Sequence, residues 1–405
     1  MTAGVAPSWS SVERAARDAY GQLVATLAFR FRDLAAVEDA LGDALHAALV
    51  HWPETGVPES PKAWLLTAAK NQMLQAARHR SVTERPDMLL SITSELETRA
   101  GTSPESFGDH RLRLMFVCAH PAIDEHVRTP LMLQTVLGLD AAAIGAQFLI
   151  PAATMGQRLV RAKRKIRDAC IPFDPPEGPE LEDRLSAVLE GIYAAFGAAD
   201  GTNRGTTDES LFLAELLAAL MPSEPEALGL HALLRFSNAR RAASRGDGGE
   251  FVPLAQQDVR RWDRASIVAA EEALRRAAAL RKPGPFQLEA AIQSAHCQRL
   301  FSGRTPWQAI AYLYQALNAI APTAGSVVGH AVALAELGNL EGARDALSGF
   351  EDAHTTLFQP YWVALAHLAH LGNDLRERRH CLERAVTLTE DMAVRTYLVG
   401  QLRGP

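Results

Sequence analysis

LDAAAIGAQFLIPAATMGQRLVRAKRKIR, residues 139–167, reads as two helices joined by a turn. Asp140 stands where a carboxylate accepts the free N–H groups of a first helical turn, so a short helix is expected from there through Ala146. Pro151 suits the first turn of a second helix, where its missing N–H costs nothing. That helix carries Met155, Leu159, Ala162 and Ile166 at spacings of four, three and four, which is one apolar stripe. Its other positions hold Thr154, Gln157, Arg158, Arg161, Lys163, Arg164, Lys165 and Arg167; six of these are cations, and no acid follows before Asp168. A short helix, a tight turn and a basic second helix make a helix-turn-helix, whose second helix suits the major groove of a duplex. On charge alone, a solvated basic face on an ordinary helical hairpin explains the same residues equally well.

The 405 residues are enough for two or three domains with real cores. Aromatic residues are only 6% while alanine is abundant, which favours closely packed helices over sheets, so the fold class expected is all-α. The net charge of −6 divides unevenly: residues 1–172 hold 19 Lys and Arg against 18 Asp and Glu, and residues 173–405 hold 22 against 29. A nucleic-acid surface must therefore be local to the first part. Cys118, Cys170, Cys297 and Cys381 form no CxxC pair and fit buried thiols in a reducing cytoplasm. The start, MTAGVAPSW, lacks a basic stretch followed by an apolar one, and no apolar run reaches the roughly 18–20 residues of a membrane span. A cytoplasmic protein without a membrane partner is expected.

Along the chain, Val12, Ala16, Tyr20, Leu23 and Leu27 recur at helical spacing. After a break near Arg32 and Asp33, Val37, Leu41, Ala44, Leu45, Ala48 and Trp52 form a second stripe, with Glu38, Asp39 and Asp43 on its polar side. Pro53, Gly56, Pro58 and Pro61 enforce a loop. A third helix, residues 61–80, has Trp64, Ala68 and Gln72 at spacing four. Lys62, Lys70, Arg78 and Arg80 give it four cations and no acid, and Asn71, Gln72 and Gln75 add amides suited to bases or phosphates. Residues 81–109, with Pro86, Gly101, Pro104, Gly108 and six acids against two bases, read as a polar linker. IPFDPPEGPE, residues 171–180, marks a domain boundary.

Beyond it the chain is repetitive. Leu337-Gly338-Asn339 recurs as Leu371-Gly372-Asn373, at the 34-residue period of tetratricopeptide repeats. Ala309 and Ala343 share that interval, and several Ala-rich helices end in proline. An irregular helical bundle is the alternative, since Ala-rich helices mimic one another.

The N-terminal wording carries a family likeness. AVEDALGDALHAALVHW (36–52) followed by PKAWLLTAAKNQMLQAARHR (61–80) resembles the second region of extracytoplasmic-function (ECF) sigma factors of the sigma-70 family. AATMGQRLVRAKRKIR (152–167) resembles the recognition helix of their fourth region, and the order and the polar separation agree. FVCAHPAID (116–124), EPEALGL (224–230), RWDRA (261–265) and PGPFQLEAAI (283–292) resemble the subgroup with a C-terminal tetratricopeptide-like extension. The chain departs from the family at Ala143-Ile144-Gly145, usually Glu-Ile-Ala, at Gly156 and Gln157, and over 197–212.

The resemblance implies a region-two domain at 10–80, a linker at 81–109, a region-four helix-turn-helix domain at 110–170 and a repeat extension at 181–405. It implies no bond chemistry, no metal and no cofactor, but a factor that lets core RNA polymerase select a promoter. Glu38, Asp39, Asp43 and Trp52 would contact core polymerase. Lys70, Asn71, Arg78 and Arg80 would hold the −10 element as a single strand. Thr154, Gln157, Arg158 and Arg161 would read base edges of the −35 duplex, and Lys163, Arg164, Lys165 and Arg167 its phosphates. Trp64 is expected in the core rather than stacked on a base. The extension would regulate or support activity, through a protein partner or by folding back on the basic helices. The alternative is a helix-turn-helix regulator with a repeat-type sensor, acting without polymerase. His367, His370, His380 and Cys381 lie close in sequence but form no known ligand spacing, and no phosphate loop or nucleophile motif is present.

Overall fold

A computed structural model describes residues 9–84, 110–148, 150–173, 179–198, 204–349 and 357–403. The fold is all-α: among the described residues there is no strand, only one isolated bridge between Arg245 and Phe251. No helix among them is long and apolar enough to cross a membrane. The chain divides into two compact units, residues 1–213 and 214–405.

The first unit opens with α1 (Trp9–Phe31), α2 (Leu34–Thr55) and α3 (Pro61–Glu84). Arg32 takes a left-handed φ of 57° and breaks the chain between α1 and α2; Asp33 then caps α2 by accepting from the Ala36 N–H. Val37, Leu41, Ala44, Ala48 and Trp52 are buried as their spacing predicts. On α3 the buried stripe is Leu65, Ala69 and Met73, one residue beyond the expected Trp64, Ala68 and Gln72, which are half-buried at its flank. Trp64 still meets Trp52 edge-to-face, with ring centroids 5.6 Å apart.

Next come α4 (Arg111–Cys118), α5 (Glu125–Leu137), α6 (Ala141–Gln147), α7 (Ala152–Asp168) and α8 (Pro179–Ala198). These do not form a separate body from α1–α3. Helix α1 packs on α4 and α5, and α2 packs on α7. A Cβ on Gly21 of α1 would lie 1.8 Å from the Val136 carbonyl oxygen of α5, so only glycine permits this approach. The Phe29 ring stacks on His110 at 4.5 Å.

The Pro-rich stretch at 171–180 is not the division between units. Helix α8 packs back on α4 and α5, with Val188, Leu189 and Ile192 buried. The division falls at Leu213, inside α9 (Arg204–Leu220). The buried Arg111 of α4 pairs with Glu209 of α9 and lies over the Phe212 ring, which keeps the start of α9 in the first unit.

The second unit is a succession of helix pairs: α10 (Pro225–Ala239) with α11 (Arg264–Ala279), α12 (Pro285–Cys297) with α14 (Trp307–Ile320), α15 (Ala324–Glu336) with α16 (Leu340–Ser348), and α17 (Gln359–Leu371) with α18 (Leu375–Thr387). Short α13 (Arg299–Ser302) follows α12, and α19 (Met392–Arg403) packs on α18. Alanines carry the close contacts: Ala331, Ala343 and Ala364 are buried in one cluster, Ala366 and Ala385 in the next. The two Leu-Gly-Asn triplets play different parts. In the first, Gly338 takes the left-handed φ and Asn339 caps α16; in the second, Asn373 takes it and Asp374 caps α18. Two stretches far apart in sequence also meet: Glu226 of α10 accepts from the Phe286 and Gln287 N–H groups, capping α12 from outside.

Candidate nucleic-acid and polymerase interfaces

The helix-turn-helix is built as its residues dictate. Asp140 caps α6 by accepting from the Ala143 N–H at 2.7 Å. The chain then turns so tightly that a Cβ on Gly145 would meet the Ile150 oxygen at 2.5 Å, and the Ile150 N–H donates to the Gly145 carbonyl at 2.8 Å. This close approach explains glycine where the resemblance has alanine. On α7, Met155, Leu159, Ala162 and Ile166 are all buried.

Thr154, Gln157, Arg158, Arg161, Arg164, Lys165 and Arg167 are exposed on α7. Arg158, Arg161 and Lys165 share one side of the helix and line a cleft of about 340 Å³ beside the N-terminus of α5, whose Asp124 and His126 form the opposite rim. Three cations beside a helix N-terminus favour an anion in this cleft, with the Asp124 carboxylate opposing it at the rim. Asp124 and His126 were not anticipated as neighbours of this face; the capping position of Asp124 before α5 was the available signal.

Lys163 departs from expectation. It is 8% exposed, and its ammonium pairs with Glu38 of α2. A lysine at the edge of the apolar stripe follows Leu159 inward, and only a carboxylate from another helix makes that burial tolerable. Neither Lys163 nor Glu38 is therefore presented outward, the first to phosphates or the second to polymerase. Burial pushes the Glu38 carboxyl up from the usual range, and Lys163 opposes that rise. Burial, and Glu38 nearby, push the Tyr20 hydroxyl up as well. Trp52 is also withdrawn: at 1% exposure it is core of α1–α3.

What remains outward on α2 is Asp39 and Asp43, four residues apart on one exposed face. On α3, Lys70 is half-buried and Asn71 exposed. Arg78 and Arg80 lie outside the residues whose side chains are described. In the second unit, a ring nitrogen of His367 lies 2.9 Å from a Glu336 carboxylate oxygen, and His380 packs edge-on to Trp362; they do not converge with His370 and Cys381, and no group of three or more metal-ligating side chains occurs among the described residues.

Comparison with known proteins fits this geometry. The Sigma-70 region 2 family matches residues 17–83, which span α1 to α3. A family of unknown function, DUF6596, matches residues 184–278. The "Uncharacterized protein R00370" of Rhizobium meliloti (strain 1021) is 32% identical over 392 residues, covering 94% of this chain and 92% of its own length. No solved structure matches. The region 2 match indicates a sigma-factor-like role in binding RNA polymerase and promoter DNA and in beginning transcription. The chain therefore belongs to one family with that Rhizobium protein, and its first three helices carry a Sigma-70 region 2 that supports kinship with the sigma-70 proteins.

Proposed function

We propose that the protein is an ECF-type sigma factor. Its α1–α3 bind core RNA polymerase and the single-stranded −10 element, its α4–α7 read the −35 duplex, and a tetratricopeptide-like extension regulates or supports activity. The observation that carries this reading is the division of outward charge: the exposed carboxylates of α2 are Asp39, Asp43 and Glu54, with no Lys or Arg on that helix, while the outward polar face of α7 from Thr154 to Arg167 is cationic. A docking surface for one partner and a reading surface for another are thereby kept apart within one compact unit.

Reversing the acidic face tests the polymerase half. Asp39→Arg with Asp43→Arg leaves the buried stripe untouched, so the variant should fold as the parent does while losing co-elution with core RNA polymerase on size exclusion. Undiminished co-elution would remove this face from the interface.

The duplex half is tested on α7. Arg158→Ala should weaken promoter binding by about 1–3 kcal/mol and broaden base preference at one position. Arg164→Ala should weaken all sequences alike and lower the salt slope by about one. Binding-site selection on randomised duplexes reads both, and a shift of base preference in the Arg164 variant would contradict its phosphate role.

A further inference from the structure

The second unit contains a cavity of about 630 Å³, within the range of small-molecule sites. It lies between the irregular segment that includes Phe251 and Trp262 and helices α12, α14, α15, α17 and α19. In a chain with only 6% aromatic residues, its wall gathers Phe251, Trp262, Trp307, Tyr314 and Tyr397. Rings at this density suit a flat, apolar ligand body.

The charge around the cavity is unbalanced. Arg299 lines it with a guanidinium that donates to the carbonyls of Leu254, Ala255 and Gln257 and stands 5.1 Å from the Trp262 ring centroid. Arg240 stands 5.9 Å from the centroid of the same ring. It donates to the Phe236 carbonyl and the Gln293 side chain, while its Nη1 is buried without a partner. Neither guanidinium has a carboxylate partner among the described residues. Arg240 stands behind Trp262, outside the lining of the cavity, so the cavity's cationic wall is the partly buried Arg299, which no carboxylate balances among the described residues and which favours an anion there. His296, edge-on to Trp307 at 5.7 Å, adds no third charge: burial, and then the charges of Arg240 and Arg299, lower its pKa to about 4. Glu336, in contact with His367, also lines the cavity and disfavours an anion at its own position. The cavity is thus polarised, cationic at Arg299 and acidic at Glu336.

We propose that this cavity binds an aromatic or fused-ring small molecule carrying a single anionic group, its rings among Trp262, Trp307 and Tyr314 and its anion toward Arg299. Such a ligand would join the 251–262 segment to the last helix pairs, which is the arrangement of a sensor.

The test uses the full chain and two probes that share their rings and differ in charge, 1-anilinonaphthalene-8-sulfonate and N-phenyl-1-naphthylamine. Fluorescence titration should give one saturable site per chain, about tenfold or more tighter for the sulfonate. Arg299→Met should abolish that preference and keep the neutral probe's affinity. Val332→Trp, which fills the cavity, should weaken sulfonate binding at least about tenfold while a cooperative thermal melt is retained. If that variant loses its melt, Thr305→Trp at the cavity wall decides in its place. Equal affinity for the two probes, binding that never saturates, or undiminished sulfonate binding in a folded cavity-filled variant would overturn the proposal.

Discussion

Lys163→Ala is expected to destabilise the N-terminal unit by about 3–5 kcal/mol, the usual cost of removing one partner of a buried ion pair. The Glu38 side chain is only 16% exposed, and its second oxygen already lacks a hydrogen-bond partner. Without Lys163 its charge is uncompensated. The effect should depend on pH. Burial raises the folded-state pKa of Glu38 above the ordinary 4.5, and Lys163 holds that rise down. A carboxyl with a raised folded pKa stabilises the fold below its unfolded pKa, and that contribution is lost as pH rises through the folded value. With Lys163 gone the folded value rises further, so the variant's deficit should be small near pH 4.5 and grow toward about pH 8. Hydrogen exchange followed in α2 and α7 reads this unit separately from the second. A deficit below about 1 kcal/mol, or one equal at both ends of that range, would contradict it. Replacing both partners by apolar residues, Glu38→Leu with Lys163→Met, should recover most of the loss, because the desolvation cost then disappears along with the attraction.

Gly21→Leu should have an effect of similar size by a different route. The new Cβ would lie 1.8 Å from the Val136 carbonyl oxygen, and backbone in the last turn of α5 cannot yield as a flexible side chain can. We expect a loss of about 3 kcal/mol or more, with protection falling along the contact between α1 and α5. The α6–α7 hairpin, which packs around its own apolar stripe, should keep more of its protection than α1. Parent-like exchange in α1 would show that α1 and α5 do not meet at Gly21.

The helix-turn-helix was legible because its determinants are local: a cap at Asp140, a proline at the start of α7 and a stripe at helical spacing. The burial of Lys163 was not, because its cause lies 125 residues away on α2. In sequence Lys163 is one more cation in a basic run, and only tertiary structure separates it from Arg164. The one-residue offset on α3 has a similar origin, since Trp64 and Leu65 both belong to plausible stripes and packing against α1 and α2 chose Leu65. The boundary was misplaced because proline-rich composition marks a bend as readily as a domain end; α8 returns to α4 and α5 after it. In the second unit the Leu-Gly-Asn echo pointed to real helix starts at α16 and α18. The cavity had no signal in sequence, because its aromatic walls come from elements well separated along the chain.

On the proposed function, this chain directs RNA polymerase to promoters. The most direct measurement is run-off transcription with purified bacterial core RNA polymerase, the purified protein and a library of promoter fragments, with start sites mapped by sequencing. The predicted result is a set of transcripts with defined start sites that depends on the protein and becomes weaker and less selective in the Arg158→Ala variant. Transcription no different from core enzyme alone, while the protein still binds duplex DNA, would contradict the claim.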